Sequence, residues 1–276
     1  MADPFFYMRY PGFKNKAVTL SYDDGITPDL RLADILDAHK MKCTFNVNAG
    51  YLGGALTRCE GRRMIAEEIL QLSEKGHEIA AHGYKHKFLT ALPPASALYE
   101  MIRDRRELEK IVKKPVAGLA YAMGDYDGHV IELLKKAGFA YARTTVSTLG
   151  FRTPPEPLAW HPTCHHNHPR LMELAESFVK NTADNDRPLL FYLWGHTYEV
   201  EEGNNWHVIE DFARYIGGRE ELWYVTNGAL IEYINAYRSL VFDADGKGVY
   251  NPSALDIFFA DAKQNYSVKA GEYKKM

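Results

Sequence analysis

The stretch Ala17-Val18-Thr19-Leu20-Ser21-Tyr22-Asp23-Asp24-Gly25 decides how the chain is read, because a short β-prone run ends on two adjacent carboxylates and a glycine. Thr27-Pro28 follows, predicting an N-cap and a first-turn proline for the amphipathic stretch Leu30 to Lys40. The opening unit is therefore strand, then helix. A dinucleotide-binding fold would carry G-x-G-x-x-G at this turn, and Asp-Asp-Gly stands there instead.

Reading outward, the unit repeats. Cys43 to Asn48 and His77 to His82 are β-prone, separated by apolar residues at helical spacing (Ile65, Ile69, Leu70, Leu72) and a terminating Gly76. Helical Ala95 to Val112, extended Val116 to Tyr121, helical Gly128 to Lys136 and extended Phe139 to Thr144 come next. A Pro- and His-rich stretch then runs to Pro169, followed by helical Leu171 to Lys180 and the strand Leu189 to Trp194. Helical Asn205 to Ile216, extended Leu222 to Thr226 and helical Gly228 to Tyr237 close the alternation. About seven strand-helix units predict an α/β fold with a parallel sheet, and at this length a distorted (β/α) barrel, with a doubly wound open sheet as competitor. The pattern stops near Leu240. Turn signals at Asp245-Gly246 and Lys247-Gly248 predict a small β appendage over 240–276, packed on a catalytic barrel of 1–239.

The 276 residues are 46% hydrophobic and 25% charged, with 33 Lys+Arg against 36 Asp+Glu. That excludes disorder, and the near-neutral balance gives no reason to expect nucleic acid or an acidic membrane as partner. No apolar run approaches a membrane span, and Met1-Ala2-Asp3-Pro4 does not open a signal peptide, so the expectation is a cytoplasmic protein. Cys43, Cys59 and Cys164, odd in number and widely spaced, read as free thiols. Self-association stays open.

Unusual polar residues collect at the C-terminal ends of the predicted strands, where barrel active sites are built. Asp23-Asp24 ends the first strand, and His82 ends the third with His86 four residues on, a spacing that brings two imidazoles onto one face of a helical turn. His196 ends the Leu189 strand. One aspartate and two histidines make a three-ligand site with open positions for water, and the second aspartate can then take that water's proton.

Ser21-Tyr22-Asp23-Asp24-Gly25 and Gly76-His77-Glu78-Ile79-Ala80-Ala81-His82-Gly83-Tyr84-Lys85-His86 resemble the first two motifs of the polysaccharide deacetylase family of carbohydrate esterases, a likeness running from about Lys16 to Ala236. The resemblance implies a distorted (β/α) barrel that removes acetyl groups from N- or O-acetylated sugars. It implies that Asp24, His82 and His86 hold a divalent metal, zinc above cobalt, nickel or manganese. Asp23 would be the general base and His196 the general acid, with Trp194 lining the acetyl pocket. The family's third motif falls on Ala120-Tyr121-Ala122-Met123, without its arginine. Arg143 is the candidate to supply that charge, and the Met123 N–H the candidate oxyanion donor. The fourth motif's place is taken by Trp160 to His168, including His165, a cluster that could line the cleft, tune His196 or hold a second metal. Two other readings stay open: a metal-dependent amidase acting on a small C–N substrate, and a sugar-binding barrel without turnover.

Overall fold

A computed structural model of the chain describes residues 5–56, 61–181 and 187–276. Met1 to Pro4 and Cys59 lie outside the described residues. Cys43 and Cys164 are buried free thiols.

In chain order the elements are β1 (Tyr7–Arg9), β2 (Lys16–Asp23), α1 (Pro28–Ala38), β3 (Thr44–Val47), α2 (Ala66–Glu74), β4 (Glu78–Ala81), α3 (Pro94–Val112) and β5 (Gly118–Ala120). Then come α4 (Gly128–Lys136), β6 (Tyr141–Arg143), β7 (Cys164–His165), α5 (Leu171–Lys180), β8 (Leu189–Gly195), α6 (Thr197–Glu202), α7 (His207–Ile216), β9 (Leu222–Tyr224) and α8 (Asn227–Arg238). The tail holds β10 (Val241–Phe242), β11 (Gly248–Tyr250), β12 (Ile257–Ala260), β13 (Asn265–Val268) and β14 (Tyr273–Lys275).

The large sheet runs β6-β5-β4-β3-β2-β8-β7, with β9 pairing β2, and every pairing in it is parallel. Helices cover its outer side, and the central strands are buried along their length; β2 is buried at every position after Lys16, with Thr19, Ser21 and Asp23 alternating with Val18, Leu20 and Tyr22. The sheet curls. Its two edges are joined by the segment leading into β7: Trp160 bridges Arg143 in parallel, donating its N–H to Ala142 O at 2.9 Å, and β7 then pairs with β8. This is the barrel the sequence predicts, with one difference. The Pro- and His-rich stretch contributes β7, whose two residues are too short to show a β period.

Two local expectations change. Thr27 has helical dihedrals and no capping bond; its hydroxyl accepts the Arg62 N–H at 3.2 Å, while Asp29 Oδ2 accepts the Ile26 N–H at 2.9 Å. His82 and His86 do not share a helical turn either, since Gly83 (φ +82°) and His86 (φ +52°) are both left-handed and residues 82–86 form a loop.

The tail forms two three-stranded antiparallel sheets, β1-β12-β13 and β10-β11-β14. β1 comes from the start of the chain, so both termini meet at this end. Phe259 and Val249 of the tail, Leu230 and Ile234 of α8 and Tyr192 of β8 share one buried cluster there. The opposite end, where the parallel strands finish, is left for the site. No helix among the described residues is long and apolar enough to cross a membrane.

Candidate active site

Asp23 closes β2, and the chain then turns through Asp24 (φ +84°) and Gly25 (φ +61°). Gly25 is required twice over: its φ is left-handed, and a Cβ would come within 2.9 Å of Val47. The turn leaves both carboxylates at the mouth of the barrel. Asp23, 2% exposed, has each oxygen held: Oδ1 accepts from Asn46 Nδ2 at 2.8 Å, and Oδ2 accepts from Arg143 Nη2. Arg143 is fully buried at the end of β6, its guanidinium 4.4 Å from the Trp194 ring centroid. The charge missing from the third-motif position thus reaches Asp23 from the next strand. Burial pushes the Asp23 carboxyl up, but Arg143, His82 and His196 outweigh it and bring the pKa down to about 2.

His82 follows β4. Its backbone N–H donates to Asp104 Oδ2 at 2.8 Å, and its ring Nδ1 lies 2.9 Å from Ala120 O. Because a carbonyl can only accept, Nδ1 carries the proton and Nε2 presents a lone pair to the cleft. The loop that returns His86 is tied down by Asn48 Nδ2, which donates to His82 O and Gly83 O at 2.8 and 2.7 Å. His86 Nε2 then stands 3.1 Å from His82 Nε2. Burial, followed by the His82 charge, lowers the His86 pKa to about 4, keeping that imidazole neutral.

The ligating atoms of Asp24, His82 and His86 lie within 4.8 Å of one another. Two imidazoles whose nitrogens approach this closely, beside a carboxylate, fit a divalent cation of the zinc type with coordination positions to spare. Arg63 belongs to the same corner, its Nη1 2.9 Å from Asp24 Oδ1 and also bonded to Asp24 O. Burial raises and His82 and Arg63 lower the Asp24 pKa, for a net fall.

His196 follows β8 with Nε2 3.7 Å from Asp23 Oδ2 and Nδ1 3.5 Å from Glu199 Oε1. Burial works against its charge, but Glu199, Asp23 and Asp24 outweigh it and raise its pKa. Met123 (φ +57°) and Trp194 line the same cleft of about 520 Å³. The turn at 122–124 uses the N–H groups of Gly124 and Asp125 for its own carbonyls, leaving that of Met123 outside those bonds.

Two expected residues sit elsewhere. Trp160 does not reach the cleft; it is fully buried, edge-on to Tyr141 and Tyr192, because its backbone closes the sheet and its ring falls inside. His165 lies behind cleft residue Trp194, ring centroids 4.5 Å apart, with its Nε2 3.1 Å from Glu199. Three contributors lie outside the expected catalytic and ligand set: Arg63, Asn46 and Glu199. Asn46 alternates inward on a β-prone run, which is a signal, whereas nothing local marks Arg63.

Residues 11–142 match the polysaccharide deacetylase family. This span contains both motifs that carry the resemblance, and it ends before His196. No curated protein sequence matches the chain. Among solved structures, a Mycobacterium smegmatis protein assigned as a polysaccharide deacetylase is 18% identical, with 86% of this chain covering 96% of that one at TM-score 0.59. The chitin deacetylase of the fungal pathogen Colletotrichum lindemuthianum is 19% identical, at 78% and 87% coverage and TM-score 0.52. Against the Streptococcus pyogenes deacetylase PplD in complex with acetate, the chain spans 55% of that protein's length using 46% of its own, at 20% identity and TM-score 0.43. At these identities the likeness is one of fold.

Proposed function

We propose that the chain is a divalent-metal-dependent hydrolase that removes acetyl groups from N- or O-acetylated sugars. The observation that carries this reading is the placement of Asp23: its Oδ2 lies 3.8 Å from His82 Nε2 and 3.7 Å from His196 Nε2, so a base, a ligand set and an acid share one cleft. The family match over residues 11–142 supports it.

Asp24, His82 and His86 would hold the cation, zinc by the character of the donors. When bound, such an ion supplies Lewis acidity to the acetyl carbonyl and to the attacking water. Asp23 takes the proton of that water. Arg143 and Asn46 fix its two oxygens, so the carboxylate neither rotates nor escapes to solvent. The Met123 N–H is the donor for the carbonyl oxygen as negative charge develops on it. His196, whose charged form Glu199 and Asp23 favour, returns a proton from Nε2 to the departing nitrogen or oxygen, releasing acetate.

The test is acetate release from acetylated oligosaccharides by chelated protein, with and without added zinc or cobalt. Release that the metal restores is the expected result. Metal binding without acetate release from any sugar would overturn the substrate assignment and favour a small amide.

A further inference from the structure

The His-rich segment does not serve the cleft of Asp24, His82 and His86. Its two rings at β7 and just after it converge on a carboxylate of α6: His165 Nε2 and His166 Nε2 stand 3.1 and 3.2 Å from Glu199 Oε2. We propose that His165, His166 and Glu199 form a second divalent-cation site, separate from the first, that takes a zinc-type ion.

Three observations carry this. The donor atoms of the three residues lie within 4.8 Å of one another, and two imidazoles with one carboxylate are a zinc ligand set that leaves a position for water. His166 is 1% exposed; its Nδ1 has no hydrogen-bond partner, and its Nε2 faces the Glu199 carboxylate at 3.2 Å without hydrogen-bond geometry. A buried imidazole in that state forfeits its hydration for nothing unless something else occupies its lone pair. The ring is also fixed in place. It stacks on Tyr22 at 5.6 Å between centroids, and its Nδ1 lies so close over Gly195 that a Cβ there would come within 1.9 Å. Pinned this way, Nε2 points at Glu199, while the partly exposed side chains of His165 and Glu199 leave the outer side open for entry.

One contact opposes loading. The Asn167 N–H donates to His165 Nδ1 at 3.1 Å, which places the ion-free ring's proton on Nε2. Capturing an ion moves that proton and gives up one hydrogen bond, making this the weaker of the two sites. His196 lies between them, Nε2 toward Asp23 and Nδ1 toward Glu199, so an ion on Glu199 draws that carboxylate's charge away from His196.

The inference does not depend on deacetylation, because its test reads ion content. Full-length protein is stripped with chelator, dialysed against zinc and assayed for bound metal by mass spectrometry. The unmodified chain is expected to hold about two equivalents, and His165→Ala about one. His86→Ala is expected to hold about one, lost in the double variant with His165→Ala. His166→Gln repeats the His165→Ala result; if it fails to fold, His165→Ala decides alone, and circular dichroism verifies each fold. A single equivalent in the unmodified chain, removed by His86→Ala, would overturn the site and leave Glu199 as a shared proton acceptor. Two equivalents retained in His165→Ala would overturn it equally, placing the second ion elsewhere.

Discussion

A carboxylate that is to accept a proton from water has to be ionised, fixed and dry, and Asp23 meets all three conditions through neighbours on β3 and β6 and just after β4 and β8. Its ionisation comes at a cost in basicity, since Arg143, His82 and His196 together bring it to about 2. In the proposed reaction, proton transfer to Asp23 would therefore rely on acidification of the water and not on a strong base. Asp23→Asn keeps an oxygen for Arg143 but removes the proton acceptor. Turnover is expected to fall by roughly 10²-fold or more while zinc content is retained, measured as kcat alongside bound metal. A variant that keeps its turnover would remove Asp23 from the base role. Asp24 and His82 were legible in the sequence because adjacent carboxylates and a His pair are unusual at strand ends. Arg63 was not, because its loop meets Asp24 only when the chain folds back.

At the scale of elements, the loops after β2, β4 and β5 turn on left-handed residues, Asp24 and Gly25, Gly83 and His86, and Met123 and Gly124, at the mouth of the barrel. Gly195, the last residue of β8, shows how little room remains: a Cβ there would stand 1.9 Å from His166 Nδ1 and 2.5 Å from Cε1. His166 is buried and has nowhere to move, so Gly195→Ala should destabilise the fold by about 1–3 kcal/mol. Urea denaturation checks this against Gly128→Ala, where nothing lies within 4 Å of the added carbon. Equal midpoints for the two would show that His166 is not packed as described. Most strands and helices were legible here because apolar periodicity reports burial directly. β7 and α6 were not, being two and six residues long.

Across the whole molecule, buried acids couple the fold to pH, and Asp29 is one of them. Asp29 begins α1 and accepts the Thr197 hydroxyl at 2.6 Å, joining α1 to the start of α6. Burial, set against the hydrogen bonds from Thr197 and Ile26, raises its pKa from 3.8 to about 7. The native state then keeps a proton that the unfolded chain releases above about pH 4. Between about pH 4 and 7 the unfolded state binds fewer protons, so this contribution to stability falls as pH rises, by at most about 1.4 kcal/mol per unit, and is flat above. Asp29→Asn can accept from Ile26 and donate to the Thr197 hydroxyl without titrating. Its melting temperature, taken on chelated protein, should gain on the parent's as pH is raised from about 4 to 7. A constant difference across that window would show that Asp29 is ionised throughout.

The sequence by itself determined the order of the longer strands and helices, the barrel class and the residues Asp23, Asp24, His82, His86 and His196 as candidates, because strand-end position and residue type are local properties. The tertiary structure alone decided which charge meets which. Arg143 is 120 residues from Asp23 in the chain, yet its guanidinium meets that carboxylate, because curling the sheet brings the end of β6 around toward β2. The same closure drew Trp160 inside and set His165 and His166 on Glu199. Such meetings depend on strand register and sheet curvature, which no single stretch of sequence encodes.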